Sequence, residues 1–286
     1  MANDKIPLKR WSLTIRPVSG WFDVNLRDIW RYRDLIFLFV RRDFISIYKQ
    51  TVLGPAWYVV QPIMTVAVLI VVFNKIARIS TDGLPPLLFY LSGIVTWKYF
   101  SDCLLKTANT FTGNAGIFGK VYFPRLTVPL SVVVSGLISF SIQFGLFILL
   151  LLYYLSIGAD IHIKVQALLL PILVLQMAAL GLGCGIIISS LTTKYRDLAQ
   201  LVGFGVQLWM YATPVVYPAS IVPVQWQWVM FINPMTSVVE TFRFMFMGVG
   251  TFNATGLIVS MITTVVLLFL GVILFSRIER SFMDTV

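Results

Sequence analysis

Three charged residues, Lys98, Asp102 and Lys106, stand four positions apart inside a long apolar segment of the chain. In a helix this spacing places them on one face, where opposite charges can satisfy one another. Charged side chains inside a membrane segment also commonly mark an ion or proton path. A proton-coupled carrier would need more carboxylates than Asp102 in its spans. The scarcity of carboxylates therefore favours a structural charge ladder, near the cytoplasmic end of a span, over an ion path.

The glycine-bearing segment 113–120 comes nearest to a phosphate-binding loop. The spacing from Gly113 to Gly119 is one residue too long for that loop, and Val121 stands where a magnesium-binding Ser or Thr would be. The segment therefore predicts no ATP site in this chain.

The remaining motifs predict no catalytic residue and no metal site. A single histidine, His162, excludes histidine-based metal centres and a metalloprotease helix. A membrane enzyme acting on lipid carriers would need clustered acids or histidine, and Asp160, His162 and Glu240 form no recognisable cluster. Gly181 and Gly185 lie within an apolar run, so their spacing predicts close helix packing rather than a dinucleotide site.

The elements that position these residues belong to a membrane protein. Hydrophobic residues make up 58% of the chain and charged residues 12%, against about 25% charged in a soluble domain. Several uncharged runs reach the length of about 20 residues that crosses a bilayer as a helix. We therefore predict an all-α integral membrane protein with six transmembrane helices within a domain at 53–276. The predicted spans are about 57–76, 87–112, 128–155, 166–192, 198–216 and 257–275.

The N-terminal region predicts an irregular cytoplasmic arm, 1–25, and an amphipathic interfacial helix, 26–52. Apolar residues in the second segment recur at three- and four-residue steps, with basic residues largely between them. Its apolar centre, 35–40, is far too short to cross a bilayer, so the helix should lie on the membrane.

Arginine is concentrated in this interfacial helix. Its guanidinium group suits bidentate recognition of phosphate, so these residues could hold a lipid pyrophosphate at the cytoplasmic leaflet. Plain attraction to anionic lipid explains them equally well, and both explanations favour a membrane surface over nucleic acid. The arginines are Arg27, Arg31, Arg33, Arg41 and Arg42.

The run 198–239 carries no charge, yet four prolines interrupt its second part. This pattern predicts the fifth span followed by a re-entrant hairpin before the sixth span, because irregular backbone at membrane depth must be covered by protein or line a cavity.

Basic residues set the orientation of the spans. Sixteen Lys and Arg fall in the predicted cytoplasmic segments, including a tail at 277–286. Four fall on the opposite side, namely Lys75, Arg78, Lys164 and Arg243. The positive-inside rule therefore predicts a multi-pass protein of the bacterial inner (plasma) membrane with both termini in the cytoplasm.

Four stretches of the sequence resemble the permease subunit of type-2 ABC transporters, specifically the exporters of O-antigen and other polysaccharides. Together they cover roughly residues 27–275. The stretches are Tyr48-Lys-Gln-Thr-Val-Leu-Gly-Pro-Ala-Trp57 with Gln61-Pro62; Lys120-Val-Tyr-Phe-Pro-Arg125 with Pro129-Leu130; Tyr195-Arg-Asp-Leu198; and Thr213-Pro-Val-Val-Tyr-Pro218 with Asn233-Pro-Met-Thr236 and Arg243.

The resemblance implies a homodimer of this chain with two copies of a separate ATP-binding subunit, which would bind ATP and magnesium. No cofactor is expected in the chain itself. The segment 113–125 and the interfacial helix would meet the ATP-binding subunits. The expected contact residues are Phe118, Lys120, Tyr122 and Arg125.

The resemblance also implies a channel at the dimer seam, lined by the first and fifth spans, for a lipid-linked polysaccharide. Aromatic side chains there could stack on sugar rings, although Trp and Tyr also form ordinary interfacial belts. The candidates are Trp57, Tyr58, Trp209 and Tyr211. An exporter of teichoic acid, capsule or a drug, and an ion-coupled carrier working alone, remain as alternatives.

Overall fold

The computed structural model of the protein describes residues 26–49, 52–118, 120, 123–192 and 197–282. The described part of the chain contains α-helices, short 3₁₀- and π-helical segments and no strand, which confirms the predicted all-α class. The predicted arm, 1–25, lies outside the described residues. The helices are α1 Leu26–Arg31, α2 Arg33–Lys49, α3 Trp57–Leu69, α4 Pro86–Ala108, α5 Thr110–Phe118, α6 Thr127–Ser156, α7 Leu170–Thr192, α8 Leu198–Tyr211, α9 Gln227–Ile232, α10 Pro234–Met247 and α11 Ala254–Phe282.

Four helical stretches in the described residues are long and apolar enough to cross a membrane. They correspond to the predicted first, third, fourth and sixth spans. The first and third stretches add 3₁₀- or π-helical residues to α3 and α7, and the last stretch ends before α11 does. The stretches are Gly54–Ile76, Thr127–Ser156, Val165–Thr192 and Ala254–Arg277.

The other two predicted spans differ from these four. The second prediction, 87–112, corresponds to α4, which carries three charged residues and ends at Ala108. The fifth prediction, 198–216, corresponds to α8, which ends at Tyr211 after 14 residues. At 1.5 Å per residue α8 is about 21 Å long, shorter than the roughly 30 Å hydrocarbon core.

Helix α4 lies at the centre of the bundle, where it contacts α3, α6, α7, α8 and α10. Glycines allow the closest of these approaches, as the sequence predicted. A Cβ atom added to Gly181 would lie 2.9 Å from the Phe100 carbonyl oxygen, and one added to Gly185 would lie 2.8 Å from that of Leu104. Bulkier residues at these two positions would push α7 away from α4.

The opposite face of α7 packs equally closely on α11. A Cβ atom on Gly183 would lie 2.8 Å from the Cα atom of Leu268, and one on Gly271 would lie 2.8 Å from the Gly183 carbonyl oxygen. Helices α4, α7 and α11 therefore form a closely packed layer with glycine on both faces of its middle helix.

Several connections meet at one end of this bundle. The Ser220 hydroxyl donates to both carboxylate oxygens of Asp82, at 2.9 and 3.0 Å, which joins the segment after α8 to the loop before α4. The Lys164 backbone N–H donates to the carbonyl of Met245 at 2.9 Å. The loops around 82, 164 and 220 and the C-terminal turn of α10 therefore share one end, which we call the α10 end.

Candidate functional site

An aromatic cluster joins α2, α5 and α11 at the other end of the bundle. The ring centroids of Phe111 and Phe275 lie 4.8 Å apart in a stacked arrangement. Phe118 lies 5.7 Å from Phe123, which in turn lies 5.9 Å from Phe39. All five rings are buried. The rings come from four separate parts of the chain and contact one another, so a shift of α5 would also displace α2 and α11.

The four predicted contacts to an ATP-binding subunit occupy different environments. Phe118 and Arg125 are buried, and the Arg125 guanidinium lies 5.5 Å from the Phe118 ring centroid. Lys120 is exposed. Tyr122 lies outside the described residues. Phe118 and Arg125 therefore hold the aromatic cluster together, while Lys120 is open to a partner.

The predicted phosphate-binding arginines lie on α1 and α2. Arg31, Arg33 and Arg41 are exposed, and Arg42 pairs with Asp43 at 2.8 Å. The backbone of Arg27 belongs to α1, and its side chain lies outside what the structure describes.

Large apolar side chains are exposed beside these arginines. Trp30, Phe37 and Leu38 are 71%, 63% and 59% exposed, whereas Phe39 and Val40 are buried against the bundle. Helix α2 therefore has one face packed on the protein, and the other face, together with Trp30 of α1, presents apolar and basic groups side by side.

The four predicted channel residues separate into two groups. Trp57 and Tyr211 are 46% and 43% exposed, and Tyr58 is half-buried. Trp209 is also half-buried, and its Nε1–H donates to Asn233 Oδ1 at 3.0 Å while its ring centroid lies 5.1 Å from that of Phe100. The hydrogen bond and the ring contact therefore give Trp209 a packing role, although all four side chains are at least partly accessible.

Asn233 joins the end of α8 to the start of α10. Its side chain accepts the Met235 backbone N–H at 3.1 Å, as a helix cap, and donates to Thr213 Oγ1 at 2.8 Å. Pro234 follows Asn233 at the first helical position. A backbone N–H at this position would have no acceptor within the helix, so proline, which lacks the N–H, is tolerated there. The short helix α9 and α10 therefore meet at a turn that is fixed against α8.

A buried Arg243–Glu240 clasp lies at the α10 end, and sequence analysis did not identify it. The exposed fractions of Arg243 and Glu240 are 1% and 5%. Nη1 of Arg243 donates to Glu240 Oε1 at 3.3 Å and to the Pro214 carbonyl at 2.6 Å. Nη2 donates to the Val215 carbonyl at 2.8 Å, and Nε donates to Ser92 Oγ at 3.3 Å.

The clasp joins four parts of the chain. The Arg243 guanidinium lies 3.8 Å from the ring centroid of Phe89 on α4, and Glu240 Oε2 accepts the Thr251 backbone N–H at 3.3 Å. It thereby connects α4, α10, the segment after α8 and the loop before α11. Because Arg243 is buried on α10, the expectation that it belongs to an external loop was wrong. Arg243 is therefore left out of the count of basic residues that sets the orientation of the spans. The available sequence signal was an Arg three positions after a Glu in a chain of low charge.

The ladder on α4 contains one ion pair. Lys98 Nζ lies 3.0 Å from Asp102 Oδ1, and their side chains are 31% and 23% exposed. Lys106 is exposed at the last turn of the helix. The predicted shared face and the pairing of charges are therefore confirmed for Lys98 and Asp102.

Comparison with known families gives one match that covers most of the chain. The model of the ABC-2 type transporter family matches residues 34–247. The matched region begins in α2 and ends with α10, so it includes the aromatic cluster residues of α2 and α5, the α4 ladder and the clasp.

Individual relatives are similar to the chain over nearly their whole length. The O-antigen export system permease protein RfbA of Klebsiella pneumoniae is 26% identical over 251 residues, covering 88% of this chain and 94% of the relative. The Myxococcus xanthus protein of the same name is 26% identical over 263 residues, covering 91% and 98%. The polysialic acid transport protein KpsM of Escherichia coli is 21% identical over 233 residues, covering 82% and 89%.

Proposed function

The chain belongs to the ABC-2 type transporter family of membrane permease subunits, and we propose that it exports a lipid-linked O-antigen or similar cell-surface polysaccharide across the bacterial inner membrane. ATP hydrolysis in a separate subunit would power the export. The observation that carries the proposal is the similarity to two permeases named for O-antigen export, which extends over about nine tenths of the chain. The relative named for polysialic acid transport supports a polysaccharide as the wider class of substrate.

The proposed membrane arrangement has six spans and both termini in the cytoplasm. The four long apolar stretches would supply four spans, and α4 and α8 would supply the second and fifth. Helices α9 and α10 would form the re-entrant hairpin, since the clasp and Asn233 bury their polar groups as membrane depth requires. The α10 end would face away from the cytoplasm, and α1 and α2 would lie on the inner membrane surface.

Coupling to ATP hydrolysis would begin at α5 and the segment that follows it. Lys120 is exposed to a partner, while the buried Phe118 and Arg125 connect it to α2 and α11. Closure of two ATP-binding subunits on a homodimer of this chain would therefore displace the aromatic cluster. Tyr122 completes the proposed contact set. ATP and magnesium would be held by the partner subunits.

The substrate would pass along the seam between two copies of the chain. Trp57, Tyr58 and Tyr211 are accessible enough to stack on sugar rings, whereas Trp209 would position the fifth span through Asn233. The arginines of the first two helices would attract the pyrophosphate of the lipid carrier. The proposed set is Arg27, Arg31, Arg33, Arg41 and Arg42.

Reconstituted export tests this function. Proteoliposomes are prepared with the chain alone and with its ATP-binding partner, and protected lipid-linked polysaccharide is measured with and without ATP. Export that requires both proteins and ATP is the expected result. Export by the chain alone, driven by an ion gradient, would contradict the proposal and favour an ion-coupled carrier. ATP-driven export of teichoic acid or a drug in place of polysaccharide would correct the substrate.

A further inference from the structure

The second half of α4 has one open side, and that side is charged. Between Leu88 and Ala108, four side chains are not buried, and all four lie in the second half of the helix. Steps of three and four residues place them on one stripe of the helix. We call Lys98, Asp102, Leu105 and Lys106 the polar stripe.

The depth of the polar stripe in the helix is unusual for partly exposed charge. Counted from Pro86, Lys98 lies about 18 Å along the helix axis, near the middle of α4, and Asp102 lies about 24 Å along it, about 9 Å from the helix end at Ala108. A lysine can extend its ammonium group towards the membrane surface, but the short aspartate side chain cannot. The Asp102 carboxylate is 23% exposed and paired with Lys98, and a partly exposed ion pair at this depth is costly in lipid and is expected to face water or other protein.

Other helices show what a side open to lipid looks like in this molecule. On α11, Val265 and Phe269 are 66% and 57% exposed, and on α6, Leu149 and Leu152 are 64% and 58% exposed. These four exposed side chains are apolar, whereas three of the four side chains of the polar stripe are charged. The contrast indicates that the stripe of α4 faces a different medium from the outer sides of α6 and α11.

We propose that the polar stripe lines a water-filled path through the membrane and contacts hydroxyl groups of the carbohydrate that moves along it; the second part rests on the export function proposed above. The Lys98 ammonium donates hydrogen bonds and the Asp102 carboxylate accepts them, and sugar hydroxyls do both. The pair is neutral overall, so it offers hydrogen bonds to an uncharged polymer without a net attraction that would hold it. Lys106 adds positive charge at the end of the helix.

Cysteine accessibility tests the water-filled path. In the full complex, Cys103 and Cys184 are replaced by Ala, and single cysteines are placed at positions 98, 102 and 105. Leu105→Cys leaves the ion pair intact, so it keeps the test valid if Lys98→Cys or Asp102→Cys fails to assemble. Labelling with a charged, membrane-impermeant methanethiosulfonate is followed in inside-out vesicles.

Val265→Cys and Phe269→Cys are the matched controls. They stand 11 and 15 residues after the start of α11 at Ala254, close to the 12 and 16 residues that separate Lys98 and Asp102 from Pro86. We expect labelling at the polar stripe to be at least tenfold faster than at the controls. Equal rates at the stripe and at the controls would overturn the water-filled path.

The carbohydrate contact has its own comparison. Vesicles from cells that make the lipid-linked polysaccharide are compared with vesicles from cells whose synthesis of it is blocked. At least threefold slower labelling of positions 98 and 105 in the first vesicles is the expected result, and unchanged rates would overturn the contact. Fast labelling without ATP-driven export would contradict the export function while leaving the water-filled path in place.

Discussion

A buried guanidinium group needs partners for its hydrogen-bond donors, and Arg243 has them. Four oxygen atoms accept from it and one aromatic ring lies against it. Gly93 is part of this arrangement, since a Cβ atom there would lie 2.8 Å from the Val215 carbonyl oxygen and 3.1 Å from Arg243 Nη2. The close approach of α4 to the segment after α8 therefore depends on both residues.

Arg243→Met should lower the stability of the protein strongly, because it leaves Glu240 buried without its counter-charge. Removing one partner of a buried ion pair costs about 3–5 kcal/mol. The double variant Arg243→Met with Glu240→Gln should be more stable than the single variant. Thermal unfolding in detergent measures both. Arg41→Met, at an exposed site on α2, is the control and should change stability by less than about 0.5 kcal/mol. Equal effects of Arg243→Met and Arg41→Met would contradict the role of the clasp.

At the residue scale, contacts between residues a few positions apart in the sequence were predictable, and contacts between residues far apart in the sequence were not. The Lys98–Asp102 pair follows from a four-residue spacing, which places side chains together in any helix. The partners of Arg243 include Val215 and Ser92, which lie 28 and 151 residues away in the chain. No periodic pattern connects positions so far apart, so the sequence assigned Arg243 to a loop.

At the scale of elements, the close packing of α4, α7 and α11 depends on the absence of side chains at a few positions. Gly185→Ala should destabilise the protein, because its Cβ would lie 2.6 Å from the Thr107 Cβ and 2.8 Å from the Leu104 carbonyl oxygen. Overpacking of this kind costs about 1–3 kcal/mol. Gly145→Ala on α6 meets no atom within 4 Å and is the matched control. It should stabilise the helix by about 0.5–1 kcal/mol. Unfolding midpoints that fall equally for both variants would contradict this account.

Helix boundaries show which elements the sequence could predict. Long uncharged runs are a local property, and they correctly indicated the four long apolar stretches. The predictions 87–112 and 198–216 ran past the observed ends at Ala108 and Tyr211. Helix α8 ends shortly before Pro214, and the residue preceding a proline disfavours helical backbone. The start of α10 depends on Asn233, whose contacts with α8 are set by tertiary packing.

At the scale of the whole molecule, the aromatic cluster connects the segment that carries the exposed Lys120 with α2 and α11, which lie near opposite ends of the sequence. Sequence analysis identified Phe118 and Arg125 as candidate contacts to an ATP-binding subunit but not as members of a buried cluster. The cluster escaped prediction because its five rings come from α2, α5, α11 and the segment before α6, which fold together only in three dimensions.

This division of roles predicts different effects for Lys120 and Phe118. Lys120→Glu reverses an exposed charge, so it should leave the unfolding midpoint of the chain unchanged. If Lys120 contacts the ATP-binding subunit, the variant should weaken assembly and lower ATP-driven export by at least fivefold. Phe118→Ala removes a buried ring, so it should cost about 3–5 kcal/mol of stability.

Comparing the two variants separates partner contact from internal coupling. Binding of the ATP-binding subunit, ATPase activity of the complex and export are measured for each protein. Phe118→Ala complexes that assemble should hydrolyse ATP with reduced export per ATP, because closure of the partner would no longer displace α2 and α11 together. Lys120→Ala is the matched control for charge reversal and should lie between Lys120→Glu and the unaltered protein. Normal binding and normal export by Lys120→Glu would exclude this residue from the partner interface, and normal export per ATP by Phe118→Ala would show that the aromatic cluster stabilises the fold without transmitting movement.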